Sequence, residues 1–434
     1  MSVLTQLHAP VPPVSQTASS LPATQHRTTR MYRNTSIAVG KTAFILPCHN
    51  EAADLPVALE SIKSQVGATV DTILVVSDNS TDDTVAIARA AGVSVIETSG
   101  NTFKKAGALN LGIRHLMKSG SLPEFIITGD GDTEYDRSFV RRAVTVMQAS
   151  PRLGVLSAVC YGKEGLVPFP RWPQPSRTPR HAARATGIKA LWNALFSLLI
   201  ASGQWLKELL NYAIVWMQCA EYSRAAMLRL RQNIHTMSGA GSLIRAEAII
   251  DTLHAQDPSA TTIDWNRATV YREHAANLVE DFALTLDVKK QGWTCTNNFF
   301  VVARTDLMRD PRSLFRQRTR WVRGTIDELR RRKFSRESRV SSLTIIYGLA
   351  MMPLFYVVNT LSVLFVTSDT VRITDLWMFP LMGAYQAVMV KRMGWKSMIV
   401  AFLLVPEMLY AVMRHVWIIT SLSRSLLSAS QNWE

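Results

Sequence analysis

From Lys41 onward the chain alternates short, β-branched apolar runs with segments of helical spacing. Thr42–Pro47, Thr72–Ser77, Val93–Glu97 and Glu124–Thr128 read as strands, and Leu55–Gln65, Thr81–Ala91 and Ala106–Met117 read as helices between them. Strands and helices alternating at this spacing predict an α/β fold with a parallel sheet covered by helices on both faces. Such folds gather their chemistry at the carboxyl ends of the parallel strands.

The pattern changes elsewhere. Residues 1–38 are rich in Pro, Ser, Thr and Gln, which predicts a disordered tail without the apolar core of a signal peptide. Prolines and basic residues interrupt 163–181, around Phe169-Pro170-Arg171-Trp172-Pro173. Residues 182–232 then have helical character. Their apolar part, Ile188–Leu206, holds Lys189, Asn193 and Gln204, too polar for a membrane span. Two readings stay open: a helix in the membrane interface anchored by Trp192, Trp205 and Trp216, or helices packed on the α/β domain. Three membrane segments are expected after that domain and none before it: Ser341–Val366, Leu376–Val390 and Met398–Leu422. The third holds Glu407, Arg414 and His415, which should face other helices, water or lipid headgroups. The α/β domain is expected over 39–335 and the membrane domain over 340–434.

Charge adds orientation. The 434 residues carry a net charge of +15. Basic residues crowd between Arg304 and Arg339, beside the first apolar segment. No nucleic-acid-binding motif accompanies them, so the block reads as a membrane anchor rather than a nucleic-acid patch. Arg330–Lys333 precedes the first segment, and Lys391, Arg392 and Lys396 lie between the second and third. The intervening loop, Ser368–Asp375, has only Arg372. These positions predict a multi-pass protein of the cell membrane, with the α/β domain in the cytoplasm and the C-terminus outside. The four cysteines have no paired spacing and predict free thiols.

Polar sites punctuate this pattern, each with a structural alternative. Pro47-Cys48-His49-Asn50-Glu51 ends the first strand and could hold a base or ribose, or cap the next helix. Ser77-Asp78-Asn79-Ser80-Thr81-Asp82 ends the second, with Asp78 an acceptor for a pyrimidine or ribose donor, or part of a capping turn. Lys104 and Lys105 precede a helix start, which attracts phosphate, or they form a solvated turn. Asp130-Gly131-Asp132 follows a buried strand, and two carboxylates two apart can hold one hard cation on a diphosphate. Glu280-Asp281 opens a helix; Asp281 could be a general base, or both could be favoured by the helix dipole. In Gln317-Arg318-Thr319-Arg320-Trp321, Arg320 could bind a diphosphate and Trp321 could stack on a sugar, or the segment could be a basic surface helix.

In this order the sites resemble the membrane-bound, often processive family-2 glycosyltransferases, the group of cellulose, hyaluronan and chitin synthases. The resemblance spans about Thr42 to Gly324. The Gly239–Arg245 segment resembles the family's acceptor-side loop, and Gln218–Tyr222 the stretch preceding it. It implies a GT-A, Rossmann-like fold and a nucleotide-sugar donor, usually a UDP-sugar. Glu51 and Asp78 would hold the nucleoside, Lys105 would lie near the phosphates, and Asp130 would contact the donor. Asp132 would bind Mg2+ or Mn2+, and Asp281 would be the base of an inverting displacement. Gln317, Arg320 and Trp321 would serve the diphosphate and the acceptor. Cys48-His49 departs from the family's small-then-aromatic pair, and Asn79 stands where Gly is common. The implied partners are a nucleotide-sugar donor, a glycan or lipid-linked acceptor and membrane lipids, with subunits free to form a homo-oligomer. Polysaccharide extension is the leading expectation. The alternatives are single-sugar transfer to a lipid carrier or protein, and an inactive glycan-binding scaffold.

Overall fold

The computed structural model describes residues 36–118, 120–163, 188–229, 234–273, 278–333, 335–347, 350 and 378–427. Most of the tail, nearly all of the proline-rich stretch and most of the first membrane segment lie outside these residues.

The α/β domain begins with β1 (Ser36–Cys48), α1 (Leu55–Lys63), β2 (Thr72–Ser77), α2 (Thr84–Ala90), β3 (Ser94–Glu97), α3 (Lys104–Met117) and β4 (Ser121–Gly129). It continues through β5 (Glu134–Tyr135), α4 (Phe139–Gln148), β6 (Leu153–Gly162), α5 (Ile188–Arg229), β7 (Gly241–Arg245) and α6 (Ala246–His254). Then come α7 (Glu280–Lys290), β8 (Thr294–Thr305) and α8 (Pro311–Arg331). One eight-stranded sheet runs β3-β2-β1-β4-β7-β6-β8-β5. β1 to β4 pair in parallel, as predicted. The sheet as a whole is mixed, because β7 runs antiparallel to both β4 and β6, and β5 antiparallel to β8. Strand direction comes from non-local pairing, which apolar periodicity does not encode. The segment Gly239–Arg245 is accordingly less a loop than expected: Gly241–Arg245 is the central strand β7, buried throughout.

Apolar side chains pack on both faces of the sheet. Ile45, Val76 and Ile126 meet Ala108, Ile113, Ile249 and Leu284 on one face. Phe44, Leu46 and Ile127 meet Leu55, Leu59, Phe139 and Val140 on the other. Predicted helix starts shift by a few residues. α2 begins at Thr84 rather than Thr81, because Asp82 turns its carboxylate onto Thr84 N and Ala52 N, a local bond that competes with helix.

α5 is one helix of 42 residues. From Ile214 to Ala220 it is buried, and Trp216 packs with Leu314, Tyr410 and Trp417. Trp216 is therefore a core residue and not an interface anchor; this half of α5 follows the packed-helix reading.

After α8 come α9 (described over 339–347), α10 (Met378–Met389), α11 (Trp395–Phe402) and α12 (Val405–Leu426). Among the described residues no single helix is long and apolar enough to cross a membrane. The third predicted segment is broken instead. α11 and α12 meet at 68°, with Leu404 at φ +62°, and only together do they have the length and composition of a span. α12 buries Tyr410, Trp417, Ser421 and Ser425 and exposes Val405, Met408, Leu409, Val412, Val416 and Ile419. Its Glu407 pairs with Arg224 of α5, Arg414 lies over the Tyr410 ring, and His415 Nδ1 meets Ala411 O at 2.9 Å. Glu407 thus faces another helix, as expected.

Candidate active site

Because β1, β2 and β4 run parallel, their carboxyl ends deliver three acidic loops to one edge of the sheet. The loops interlock. Asn50, at φ +57°, accepts from Thr81 N at 2.8 Å, and Glu51 N donates to Thr84 Oγ1 at 2.9 Å. Asn79 sits at φ +51°, a conformation Asn tolerates better than most side chains, which accounts for Asn where Gly is common.

Asp78 is nearly buried, and one of its oxygens is fully engaged. Oδ1 accepts from Asn79 Nδ2 at 3.1 Å, Thr98 Oγ1 at 2.9 Å and Asn101 Nδ2 at 2.9 Å. Asn101 is a site residue that the motifs did not point to. It also accepts from Phe103 N and donates to Lys104 O, so it joins Asp78 to the start of α3. Its signal was faint: a polar residue in the turn Ser99-Gly100-Asn101, two positions before a helix cap.

Lys105 projects from the first turn of α3. Its Nζ pairs with Asp130, donates to Gly239 O at 3.1 Å and lies 3.6 Å from Glu280. Burial works against this ammonium, but Asp130 and Glu280 outweigh it and hold Lys105 above the usual lysine range. One side chain thereby joins the β4 loop, the turn before β7 and the head of α7. Gly239 is the close approach: a Cβ there would lie 3.0 Å from Lys105 Nζ and 3.6 Å from Asp281 Oδ2.

Asp132 and Glu51 form the most charged part. Burial, then Asp130, push Asp132 up to about 6. Burial, then Asp132 and Asp130, push Glu51 up to about 7. Glu51 packs against Gly131 and so belongs with the carboxylate pair. Thr305 Oγ1 approaches Asp132 at 3.4 Å, and Lys163 bridges Asp54 and Asp306 at 3.0 Å each. Among the described residues no group of three or more His, Cys, Asp or Glu side chains is arranged to hold an ion alone. Two hard carboxylates whose charges repel in a half-buried turn nevertheless fit Mg2+ or Mn2+, which takes one or two carboxylates and completes its shell with phosphates and water.

Asp281 sits in the first turn of α7, where its Oδ1 accepts from Phe282 N at 2.7 Å. Burial, then the adjacent Glu280 carboxylate, raise its pKa, while Lys105 opposes them. A carboxylate tuned upward in this way is a better proton acceptor. α8 starts cleanly, with Asp310 capping Arg312 N and Ser313 N and Pro311 at the first position. Gln317, Arg320 and Trp321 are half-buried on its cavity side. Burial lowers Arg320 from the usual arginine range, and Glu280, Asp130 and Asp281 pull the other way, so the guanidinium shares their field.

Glu51, Asp78, Lys105, Asp130, Asp132, Asp281, Gln317, Arg320 and Trp321 all line one cavity of about 2400 Å3. It also takes in residues sequence reasoning did not assign, among them Asn101, Met408 and His415. The C-terminal helices are thus part of its wall. All four cysteines are free, as expected.

Residues 43–253 match the model of the family described as glycosyl transferase family 2. The matched residues belong to the α/β fold with its mixed sheet. No curated protein matches the sequence. Among solved structures, a mannosyltransferase of Pyrobaculum calidifontis in complex with GDP-Man and Mn2+ is similar at 14% identity and a TM-score of 0.49, over 90% of this chain and 88% of that one. TarS of S. aureus is similar at 14% identity and 0.37, over 88% and 55%. A glucosyl-3-phosphoglycerate synthase of M. tuberculosis in complex with Mg2+ and UDP is similar at 15% and 0.36, over 65% and 77%.

Proposed function

We propose that this domain is an inverting, metal-dependent glycosyltransferase. It moves a sugar from a nucleotide-sugar, a UDP-sugar by resemblance, to a hydroxyl of a glycan acceptor at the membrane, extending a polysaccharide. The observation that carries the reading is the convergence of acidic, basic and aromatic motifs from six separate segments on one cavity. Its volume exceeds the roughly 300–1,000 Å3 of a single-ligand pocket, leaving room for an acceptor beside the donor.

In this reading Asp78 and the Asn101 turn hold the nucleoside. Asp130 and Asp132 would hold the divalent cation, which supplies positive charge to the departing diphosphate when bound. Asp281 takes the proton of the acceptor hydroxyl. The acceptor oxygen forms a bond to the anomeric carbon from the side opposite the diphosphate. The bond from that carbon to the diphosphate oxygen breaks, and its electron pair stays on the oxygen. Arg320 and Lys105 are placed to receive that charge. Glu280 keeps Lys105 beside the phosphates and raises Asp281. Trp321 offers a face for the acceptor sugar.

The membrane placement rests on the exposed apolar residues of α10 and α12 and on the basic block around α8. The cytoplasmic orientation rests on the position of the basic residues around the C-terminal segments. A second reading, single-sugar transfer to a lipid carrier, is favoured by the apolar wall that Leu404, Met408 and Val412 give the same cavity.

The test is purified protein in detergent, screened with nucleotide sugars for release of nucleoside diphosphate, with and without chelator. Metal-dependent release is expected. Asp281→Asn should abolish transfer while donor binding survives, and full activity in that variant would remove the base assignment. Product length on a gel separates polymer extension from single transfer. Neither nucleotide binding nor turnover with any donor would favour the inactive scaffold.

A further inference from the structure

Arg318, inside the motif on α8, is buried where Gln317, Arg320 and Trp321 are half-buried. Its side chain is 7% exposed and forms an ion pair of 2.6 Å with Glu221 of α5. The pair is close in distance but not aligned for a hydrogen bond. The guanidinium carbon lies 4.6 Å from the centre of the Trp321 ring and 5.8 Å from that of Tyr222. Arg318 and Trp321 are three apart on one helix, so this stacking fixes the ring from the turn below. The same Glu221 Oε2 accepts from the hydroxyl of Tyr410 of α12 at 2.6 Å. Farther along the seam, Ser421 Oγ donates to Thr319 O at 3.0 Å, and Arg330 donates to Ser425 O at 2.9 Å.

We propose that Arg318 is a positioning residue that sets the Trp321 ring, and that Glu221 and Tyr410 hold Arg318 in place, so that the C-terminal helix α12 controls the geometry of the acceptor platform. The inference rests on the reading above in which Trp321 holds the acceptor. Three arguments support a positioning role over plain burial. An ion pair with one buried partner is a weak source of stability, and an apolar residue in place of Arg318 would fill the same space. The planar guanidinium stacks where an ammonium or an aliphatic chain would not. The chain of contacts also begins on the helix that exposes its apolar face and ends on a ring lining the active cavity.

The test compares Arg318→Lys, Glu221→Gln and Tyr410→Phe, each alone and combined with Trp321→Ala. Arg318→Lys keeps the charge and loses the planar stack; Tyr410→Phe removes one hydroxyl and is the variant least able to disturb folding. Each should raise the acceptor KM, about tenfold for the first two and about fivefold for Tyr410→Phe, with donor KM and acceptor-independent donor hydrolysis unchanged. In the Trp321→Ala background the same substitutions should add nothing. The emission difference between each protein and its Trp321→Phe counterpart reads the environment of this one ring without turnover, and it should change in all three variants. Additive effects on top of Trp321→Ala, or a fall in kcat at constant acceptor KM, would overturn the proposal. So would an unchanged Trp321 difference spectrum. An acceptor KM that Trp321→Ala leaves intact would instead remove the acceptor role of Trp321, while the difference spectrum still decides whether Arg318 sets the ring.

Discussion

Gly107→Ala is a substitution whose sign the structure decides. Gly107 lies in the first turns of α3, and in an ordinary helix replacing Gly by Ala stabilises by roughly 0.8–1 kcal/mol. Here the new Cβ would fall 2.2 Å from Asn101 Oδ1 and 2.8 Å from its Cγ, so the Asn101 side chain must leave. That side chain makes three hydrogen bonds: from Phe103 N, to Lys104 O and to Asp78. At about 1 kcal/mol for each neutral bond and about 1.5–3 kcal/mol for the one to the carboxylate, their loss costs about 3.5–5 kcal/mol. Set against the helix gain, the net loss is about 2.5–4 kcal/mol. Asp78 also loses one of the donors that orient it, so the donor KM should rise several-fold with little change in acceptor KM. Thermal unfolding of the detergent-solubilised protein, with donor titration, reads both effects. A control separates clash from propensity. In an Asn101→Ala background the obstacle is absent, and Gly107→Ala should then be neutral or stabilising. A Gly107→Ala protein that melts higher than the parent would refute the assignment of Asn101 as the brace of Asp78.

Three further outcomes follow from the same geometry. Glu51 and Asp132 are raised from ordinary carboxylate values to about 7 and about 6. The folded state therefore holds more protons than the unfolded chain, and the metal-free protein should lose stability as pH rises from about 4 to about 7. A divalent cation favours the ionised carboxylates, so the gain in melting temperature with Mn2+ should be small at pH 5 and largest by pH 8; a gain independent of pH would remove these carboxylates from the cation's surroundings. Arg332→Ala should cost about 3–5 kcal/mol and several degrees of melting temperature. Arg332 meets Asp287 at 3.0 Å, Glu328 at 2.6 Å and Ala283 O at 2.9 Å, and its loss leaves the buried Glu328 underpaired. Because Asp287 and Ala283 belong to α7, kcat should fall more than donor affinity does. Gly239→Ala should impair turnover without unfolding the protein, since its Cβ would press on Lys105 Nζ and only touch Asp281 while meeting no other group; wild-type kcat would show that this approach is not tight during catalysis.

The parts of this fold legible in the sequence are those set by local rules. β2 and its neighbours announce themselves as β-branched runs, and the acidic loops after β1, β2 and β4 are where parallel strands must end. Sheet direction was not legible, since β7 pairs against β4 and β6 through contacts 85 to 120 residues apart in sequence. Asn101 was missed because its importance lies in what Gly107 allows it to reach, which no spacing records. Trp216 stayed open between two readings because an apolar helix face looks the same whether it meets lipid or Leu314 and Trp417. The third membrane segment was read as continuous because hydropathy averages over a break, and Leu404 gives no warning that its backbone is left-handed.

That break bears on how α12 reaches the site. A straight helix from Met398 to Leu422 would carry one orientation along its whole length. The 68° bend instead lets α11 pack beside α10 while α12 lies along α8, with Tyr410 and Trp417 turned inward and Met408 and Val412 turned to the cavity and its mouth. Glu407 can then sit in the first turn of α12, where a carboxylate is favoured by the helix dipole, and still pair with Arg224. The ionisable residue that looked most expensive in a membrane segment thus becomes the point at which α12 is fastened to α5, about one turn along α5 from the Glu221–Arg318 pair. In the membrane-bound reading proposed above, a helix fastened in this way turns one side to the bilayer and one to the acceptor platform, so a change in how α12 sits in lipid would be felt at Trp321.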